Sequence, residues 1–174
     1  MKYLVTGGAG FIGSHLTKKL VEEGNDITII DNLNTGKEKN LESIKNKIDF
    51  VKGSILDIEL LEKLTKDVDG VYHQAALASV QDSFSKPDEY HDVNVNGTEN
   101  ILKLAKQYNF KVVYASSSSV YGNPVRFPIR ESDEKNPINP YAETKLKKEE
   151  LAQKYSEMGV KVIGLRYFNV FGKG

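Results

Sequence analysis

Cysteine is missing from the 174 residues, which excludes disulfides and thiolate metal ligands. That absence suits a reducing compartment, so a cytoplasmic location is the expectation. Histidine is scarce: His15, His73 and His91 stand far apart without ligand-like spacing, and no metal site is expected. An excess of either charge is also lacking. The 24 basic and 24 acidic side chains balance, so no net field draws the chain toward nucleic acid or an anionic membrane surface. No apolar run approaches the roughly 20 residues that span a bilayer, so no membrane partner is expected. The chain enters an apolar strand at Tyr3, so no signal peptide is expected. Of only 5 prolines, Pro124, Pro128, Pro137 and Pro140 fall within 123–140, which reads as an ordered surface loop. No repeat of fixed period and no low-complexity tract is present, and the length fits one domain.

What the chain does have begins at residues 3–13, Tyr-Leu-Val-Thr-Gly-Gly-Ala-Gly-Phe-Ile-Gly. Tyr3, Leu4 and Val5 read as a short buried strand, and Phe11, Ile12, Leu16 and Leu20 as a helical stripe. Gly7, Gly10 and Gly13 lie between and within them. Strand, glycine turn and helix in that order gather free backbone N–H groups and a helix dipole at one point. Such a point suits the pyrophosphate of a dinucleotide. A second strand, 26–30, ends at Asp31, eighteen positions after Gly13. There a carboxylate would bond the adenosine ribose hydroxyls and repel the extra phosphate of NADP, which selects NAD.

The remaining chain alternates strands and helices. Residues 37–46 suggest a short exposed helix, and 48–51 a third strand followed by Gly53, Ser54 and Ile55. Asp57 is placed to cap a helix with Ile58, Leu61 and Leu64 inward. Strand four, 68–73, ends in Gln74-Ala75-Ala76, where small residues leave room for a ligand or for a close helix. Pro87 opens a helix over 87–108, with Asn94 beside Val93 on its apolar face, bracing a loop or lining the site. Strand five, 111–115, runs into Ser116, Ser117, Ser118 and Ser119. A helix over 141–158 turns Thr144, Leu151, Ala152 and Tyr155 inward, and strand six spans 160–167. This pattern predicts an α/β fold, a doubly wound parallel sheet of Rossmann type covered on both faces, over 1–174.

Tyr141 and Lys145 are four apart and share a helix face. A tyrosine hydroxyl has a pKa of about 10, and bringing it near 7 requires roughly 4 kcal/mol of preference for the phenolate. A nearby ammonium supplies part of this. Ser117 at a strand end could bond the substrate oxygen whose proton Tyr141 takes. Each feature alone is common; glycine loop, strand-end acid, serine cluster and Tyr-x-x-x-Lys in one order are not.

On these motifs, together with Ile-Asp-Asn-Leu and Arg-Tyr-Phe-Asn-Val-Phe-Gly, the chain resembles the extended short-chain dehydrogenase/reductases. Within them it resembles the nucleotide-sugar 4-epimerases typified by UDP-glucose 4-epimerase. The resemblance implies an NAD-dependent isomerase acting on a UDP-hexose, with Ser117, Tyr141 and Lys145 catalytic and Lys145 lowering the Tyr141 pKa. It implies Gly7, Gly10, Phe11, Ile12 and Gly13 at the pyrophosphate, and Asp31, Asn32, Asn34, Thr35 and Gly36 around the adenosine ribose. Ser54 and Ile55 would meet adenine, and Ala75 and Ala76 would lie under the cofactor. Asn94, Tyr141, Lys145, Tyr167 and Val170 would stand near the nicotinamide, and Ser79, Ser117 and Asn169 at the substrate. It also implies a homodimer through the helices 87–108 and 141–158. Ser54 replaces an acid common in relatives. Ser118 and Ser119 replace the Asp-Glu of nucleotide-sugar 4,6-dehydratases, and decarboxylating relatives keep a Glu at the second position. The sugar stays open among UDP-glucose/galactose, their N-acetyl forms and UDP-glucuronate. Family members are much longer than this chain, so a C-terminal substrate lobe is expected to be missing. A module that binds NAD with little turnover therefore stands as an alternative.

Overall fold

The computed structural model describes residues 1–173. Six parallel strands form one sheet: β1 (Lys2–Thr6), β2 (Asp26–Asp31), β3 (Ile48–Lys52), β4 (Gly70–His73), β5 (Lys111–Ser117) and β6 (Val162–Tyr167). Their order is β3-β2-β1-β4-β5-β6, the doubly wound arrangement expected from the sequence. Between β1 and β4 the connections diverge to opposite sides, opening a crevice at the carboxyl ends. Register brings those ends level: Thr6 pairs with Ile30 and His73, His73 with Tyr114, and Ser117 with Tyr167.

Successive strand residues feed two cores, so the central strands are apolar on both faces. Val5, Ile27 and Ile29 pack with Leu20 of α1 (Phe11–Glu22) and with Leu41 and Ile44. Leu4, Val71 and Val112 pack against α2 (Ile58–Thr65), α5 (Gly97–Tyr108) and α6 (Pro140–Glu157) through Leu61, Ile101 and Tyr155. Asp57 caps α2 as expected, accepting from the Leu60 N–H at 3.0 Å. Asn139 caps α6, accepting from Ala142 N–H at 2.8 Å with Pro140 in the first turn.

Several local expectations need correction. The segment read as an exposed helix is a 3₁₀ helix, Glu38–Lys47, and its three-residue repeat turns Leu41 and Ile44 into the core. The helix read over 87–108 is α4 (Pro87–His91), a π-helical stretch Asp92–Asn96, and α5. A short helix, α3 (Val80–Ser85), precedes it. The Ser79 hydroxyl, accepting from Asp82 N–H at 3.2 Å, starts α3. β5 continues two residues further, through Ser117, before a 3₁₀ turn at Ser118–Tyr121. The inner face of α6 also carries Lys145 and Lys148, 3% and 0% exposed. β6 departs from the sheet covered on both faces: Ile163 and Leu165 are exposed among the described residues.

Candidate cofactor and catalytic site

The glycine turn is fixed by close backbone approaches. Gly7 has φ +69°, and a Cβ there would lie 2.6 Å from the Ala75 nitrogen. A Cβ on Gly13 would lie 2.1 Å from the Gly7 oxygen, so only glycine lets α1 seat on the turn. Gly10 donates to the Gly7 carbonyl at 3.1 Å and caps α1 without a side-chain bond. No acidic residue occupies the first turn of α1, so its leading N–H groups and dipole face the crevice unneutralised. Asp31, 7% exposed, locks this loop to the next one. Its carboxylate accepts from Ala9 N–H at 2.9 Å and from Leu33 N–H at 2.8 Å.

Two cavities flank the turn. One, of ≈ 370 Å³, is lined by Asp31, Asn32, Asn34, Thr35, Ser54, Ile55 and Ala75. The other, of ≈ 420 Å³, is lined by Phe11, Ile12, Gly13, Ser117, Tyr141, Lys145, Tyr167, Asn169 and Val170. Gly7, Gly10, Gln74 and Ala76 line both, so the crevice is two-lobed with the anion-binding turn at its waist. That is the shape of a dinucleotide with its pyrophosphate central. The side-chain nitrogen of Gln74, buried at this waist, has no hydrogen-bond partner within the protein. Shape, bare helix N-terminus and orphaned amide all fit a bound dinucleotide.

In the second lobe, Ser117 accepts a bond from Ser119 N–H at 3.1 Å, which fixes its rotamer at the end of β5. Lys145 donates to the Ala115 carbonyl at 3.1 Å, and its ammonium stands 5.5 Å from the centre of the Tyr141 ring. Burial pulls the Lys145 amine down to about 8. Burial also pushes the Tyr141 hydroxyl above the usual tyrosine range, with the Ser117 hydroxyl pulling the other way. The resemblance implies that Lys145 lowers the Tyr141 pKa; here the balance runs upward. Desolvation of the phenolate outweighs the charge of an amine 5.5 Å from the ring centre.

Three expected residues lie outside both cavities. Gly36 sits behind Asp31, where a Cβ would come within 2.9 Å of both carboxylate oxygens. Ser79 is exposed and serves as the α3 cap. Asn94 is fully buried, and its side chain is spent on structure. It accepts from Leu77 N–H at 2.9 Å and donates to the Leu77 carbonyl and the Thr144 hydroxyl, both at 3.0 Å. It braces the loop after β4 against α6.

Other residues were not foreseen. Gln74 was readable only as a neighbour of the Ala75-Ala76 pair, and Glu89 and Leu77, which line the first lobe, carried no signal at all. Behind the second lobe, the Arg166 guanidinium donates two bonds to the Glu149 carboxylate, both at 2.8 Å. Glu149 also accepts from the Ser116 hydroxyl at 2.6 Å. This group ties β5, α6 and β6 together one residue from Ser117 and Tyr167. His73 is fully buried, with its ring nitrogens 2.7 Å from the Thr6 and 2.9 Å from the Thr98 hydroxyl oxygens. Thr98 donates to the Asn94 carbonyl at 2.6 Å, so it accepts from His73 Nε2–H, and His73 is neutral. Among the described residues, no group of three or more His, Asp or Glu could hold a metal ion, and no helix is long and apolar enough to cross a membrane.

Residues 3–174 match the model of a family described as the NAD dependent epimerase/dehydratase family. A UDP-glucose 4-epimerase of Lactobacillus helveticus is 44% identical over 99% of this chain and 52% of its own length. Among solved structures, a UDP-N-acetylglucosamine 4-epimerase from Methanobrevibacter ruminantium M1, in complex with UDP-N-acetylmuramic acid, superposes with a TM-score of 0.94 at 41% identity, covering 98% of this chain and 56% of that one. A UDP-glucose 4-epimerase from Brucella ovis, in complex with NAD, superposes with a TM-score of 0.87 at 40% identity, covering 97% of this chain and 52% of that one. The chain thus spans about half the length of the relatives it matches.

Proposed function

The chain belongs to the NAD dependent epimerase/dehydratase family, and from that premise we propose that it is the cofactor-binding and catalytic part of a UDP-hexose 4-epimerase. One observation carries the reading: Ser117, Tyr141 and Lys145 line one lobe of a crevice whose other lobe fits an adenosine, with the anion-binding turn between. Tyr141, as phenolate, takes the proton of the sugar 4-hydroxyl, while Ser117 bonds the same oxygen and steadies the charge that develops there. Lys145 fixes the nicotinamide ribose and adds positive charge beside the tyrosine. NAD, when bound, supplies the acceptor and then the donor of the hydride at carbon 4, with a positive ring next to Tyr141. Burial pushes the Tyr141 hydroxyl up, so positive charge beside it would favour the phenolate. Asn169, exposed at the end of β6, is placed for the sugar diphosphate.

Two rival chemistries separate on the same lobe. Dehydration needs a carboxyl group to protonate a leaving hydroxyl. No Asp or Glu lines the catalytic lobe among the described residues; Ser116, Ser117 and Ser118 do. Epimerisation needs no such acid. A binding module with little turnover is the second reading, favoured by the span of about half the relatives' length. Interconversion of UDP-galactose and UDP-glucose decides between these two. In the enzyme reading, Tyr141→Phe abolishes conversion and leaves NAD affinity within about fivefold, since one hydroxyl bond is worth about a kcal/mol or less. Loss of NAD with the hydroxyl would make Tyr141 a binding residue. Helices α4 to α6 offer the surface through which a homodimer would form.

A further inference from the structure

We propose that Glu89 is the residue that recognises the adenine base, its carboxylate accepting a hydrogen bond from the exocyclic amino group. The inference rests on reading the first lobe as the adenosine half of the cofactor site. The walls of that lobe beyond Asp31 include Ile30, Ile55 and Val93, apolar surfaces suited to the faces of a purine. Such walls hold a ring without reading its edge. Apart from Glu89, the one carboxylate lining the lobe is Asp31, and several of the acceptors there already hold backbone N–H groups. Asp31 takes two backbone N–H groups, and the Asn32 side-chain oxygen takes that of Asn34 at 3.1 Å. The Ser54 hydroxyl oxygen takes the N–H of Leu56 at 3.2 Å, within its own turn.

Glu89 also lines the lobe, one helical turn before Val93 and so on the same face. It is exposed and engaged only in an ion pair with Lys86 at 3.4 Å, 61% and 50% exposed on the two sides. An exposed pair three residues apart holds its partners weakly, so the carboxylate can turn to a base at little cost. Its chemistry selects an amino purine: a 6-amino group donates to it, whereas the 6-oxo group of hypoxanthine presents oxygen to oxygen.

Calorimetric titration of this chain with NAD and with nicotinamide hypoxanthine dinucleotide tests the proposal. The unaltered chain should favour NAD by about tenfold, the value of one hydrogen bond to a charged acceptor. Glu89→Ala should weaken NAD by about three- to tenfold and bring the two dinucleotides near parity. Glu89→Gln, which can donate as well as accept, should bind both within about threefold. Lys86→Ala should leave the preference in place. An unaltered chain without preference, or a Glu89→Ala variant that keeps it, overturns the proposal. Failure of the unaltered chain to bind either dinucleotide instead overturns the underlying assignment of the lobe.

Discussion

Replacing Lys148 with methionine should stabilise the protein. Lys148 is completely buried on the inner face of α6, and its amine has no hydrogen-bond partner. Its closest compensation is the face of the Tyr114 ring, 5.5 Å away. Burial holds the amine well below the usual lysine range, and the charge of Lys145 lowers it further. An unpaired polar group in such a place costs about 1–3 kcal/mol, and methionine fills similar length with apolar atoms. The gain from removing the unpaired group should be of that order, a rise in Tm of roughly 2–10 °C for a domain of this size, before the pH-dependent part is added. The pH dependence makes the reasoning sharper. In the unfolded chain Lys148 titrates near 10.4 and is protonated below that, while the folded chain lacks that proton over the window down to its lowered value. Native stability therefore falls as pH falls through the window, by up to about 1.4 kcal/mol per pH unit. Lys145, pulled down to about 8, adds a slope of the same sign above that pH in both proteins and cancels in the difference. Urea unfolding of the two proteins at pH 7, 8 and 9 should show the advantage of Lys148→Met growing toward the lower pH. A variant that is less stable than the native protein at pH 7, or an advantage that does not change with pH, would show that the amine is charged and satisfied in the fold.

Gly7→Ala should lower NAD affinity at least tenfold and cost about 1–3 kcal/mol of stability, because it combines positive φ with a Cβ 2.6 Å from the Ala75 nitrogen; calorimetry and urea unfolding read the two effects. Glu149→Gln should cost about 3 kcal/mol by leaving Arg166 without its carboxylate. Burial pushes the Glu149 carboxyl up, but its bonds to Arg166 and Ser116 outweigh this and hold it below the usual range. That stability is present above the unfolded value of about 4.3 and is lost as pH falls through the folded one, so acid unfolding of the glutamine variant should show a shallower slope. Burial, with the charge of Lys145 adding to it, keeps His73 well below the usual histidine range. Its imidazole nitrogen resonances should therefore report the neutral Nε2–H form from pH 8 down through pH 6; titration within that range would mean that the Thr6–His73–Thr98 chain is open.

The fold was legible because its signals are local. Gly7 and Gly13 specify a turn that no other residue fits, and Asp31 and Asp57 mark a strand end and a helix start by position alone. Ser117, Tyr141 and Lys145 were legible for the same reason: each stands at a fixed offset from the end of a strand or the start of a helix, and the sheet register brings those ends level. Glu89 had no such offset. It reaches the adenosine lobe through the course of three helical segments, which no spacing in the sequence records.

Asn94, with two readings left open by its spacing, and Lys148, with no signal at all, show where the sequence falls short. A period of 3.6 residues places Val93 and Asn94 about 100° apart on an α-helix, so one of them should turn from the sheet. The π-helical stretch Asp92–Asn96 opens the helix by one residue, and both turn inward, Val93 to the cofactor lobe and Asn94 to the loop at Leu77. Lys148 reads as solvated surface in a helix rich in Lys and Glu, since polar residues mark the outer face of an amphipathic helix. Here that rule fails because α6 packs over the end of β5 with chemistry to deliver. Lys145 has to face the sheet to stand under Tyr141, and Lys148, three residues on, shares its face. An inward lysine beneath Tyr141 thus commits the next position on the stripe to burial whatever residue occupies it. The unpaired amine of Lys148 is the energetic trace of that constraint, and it is why the one change predicted to stabilise this helix lies beside the residues proposed to be catalytic.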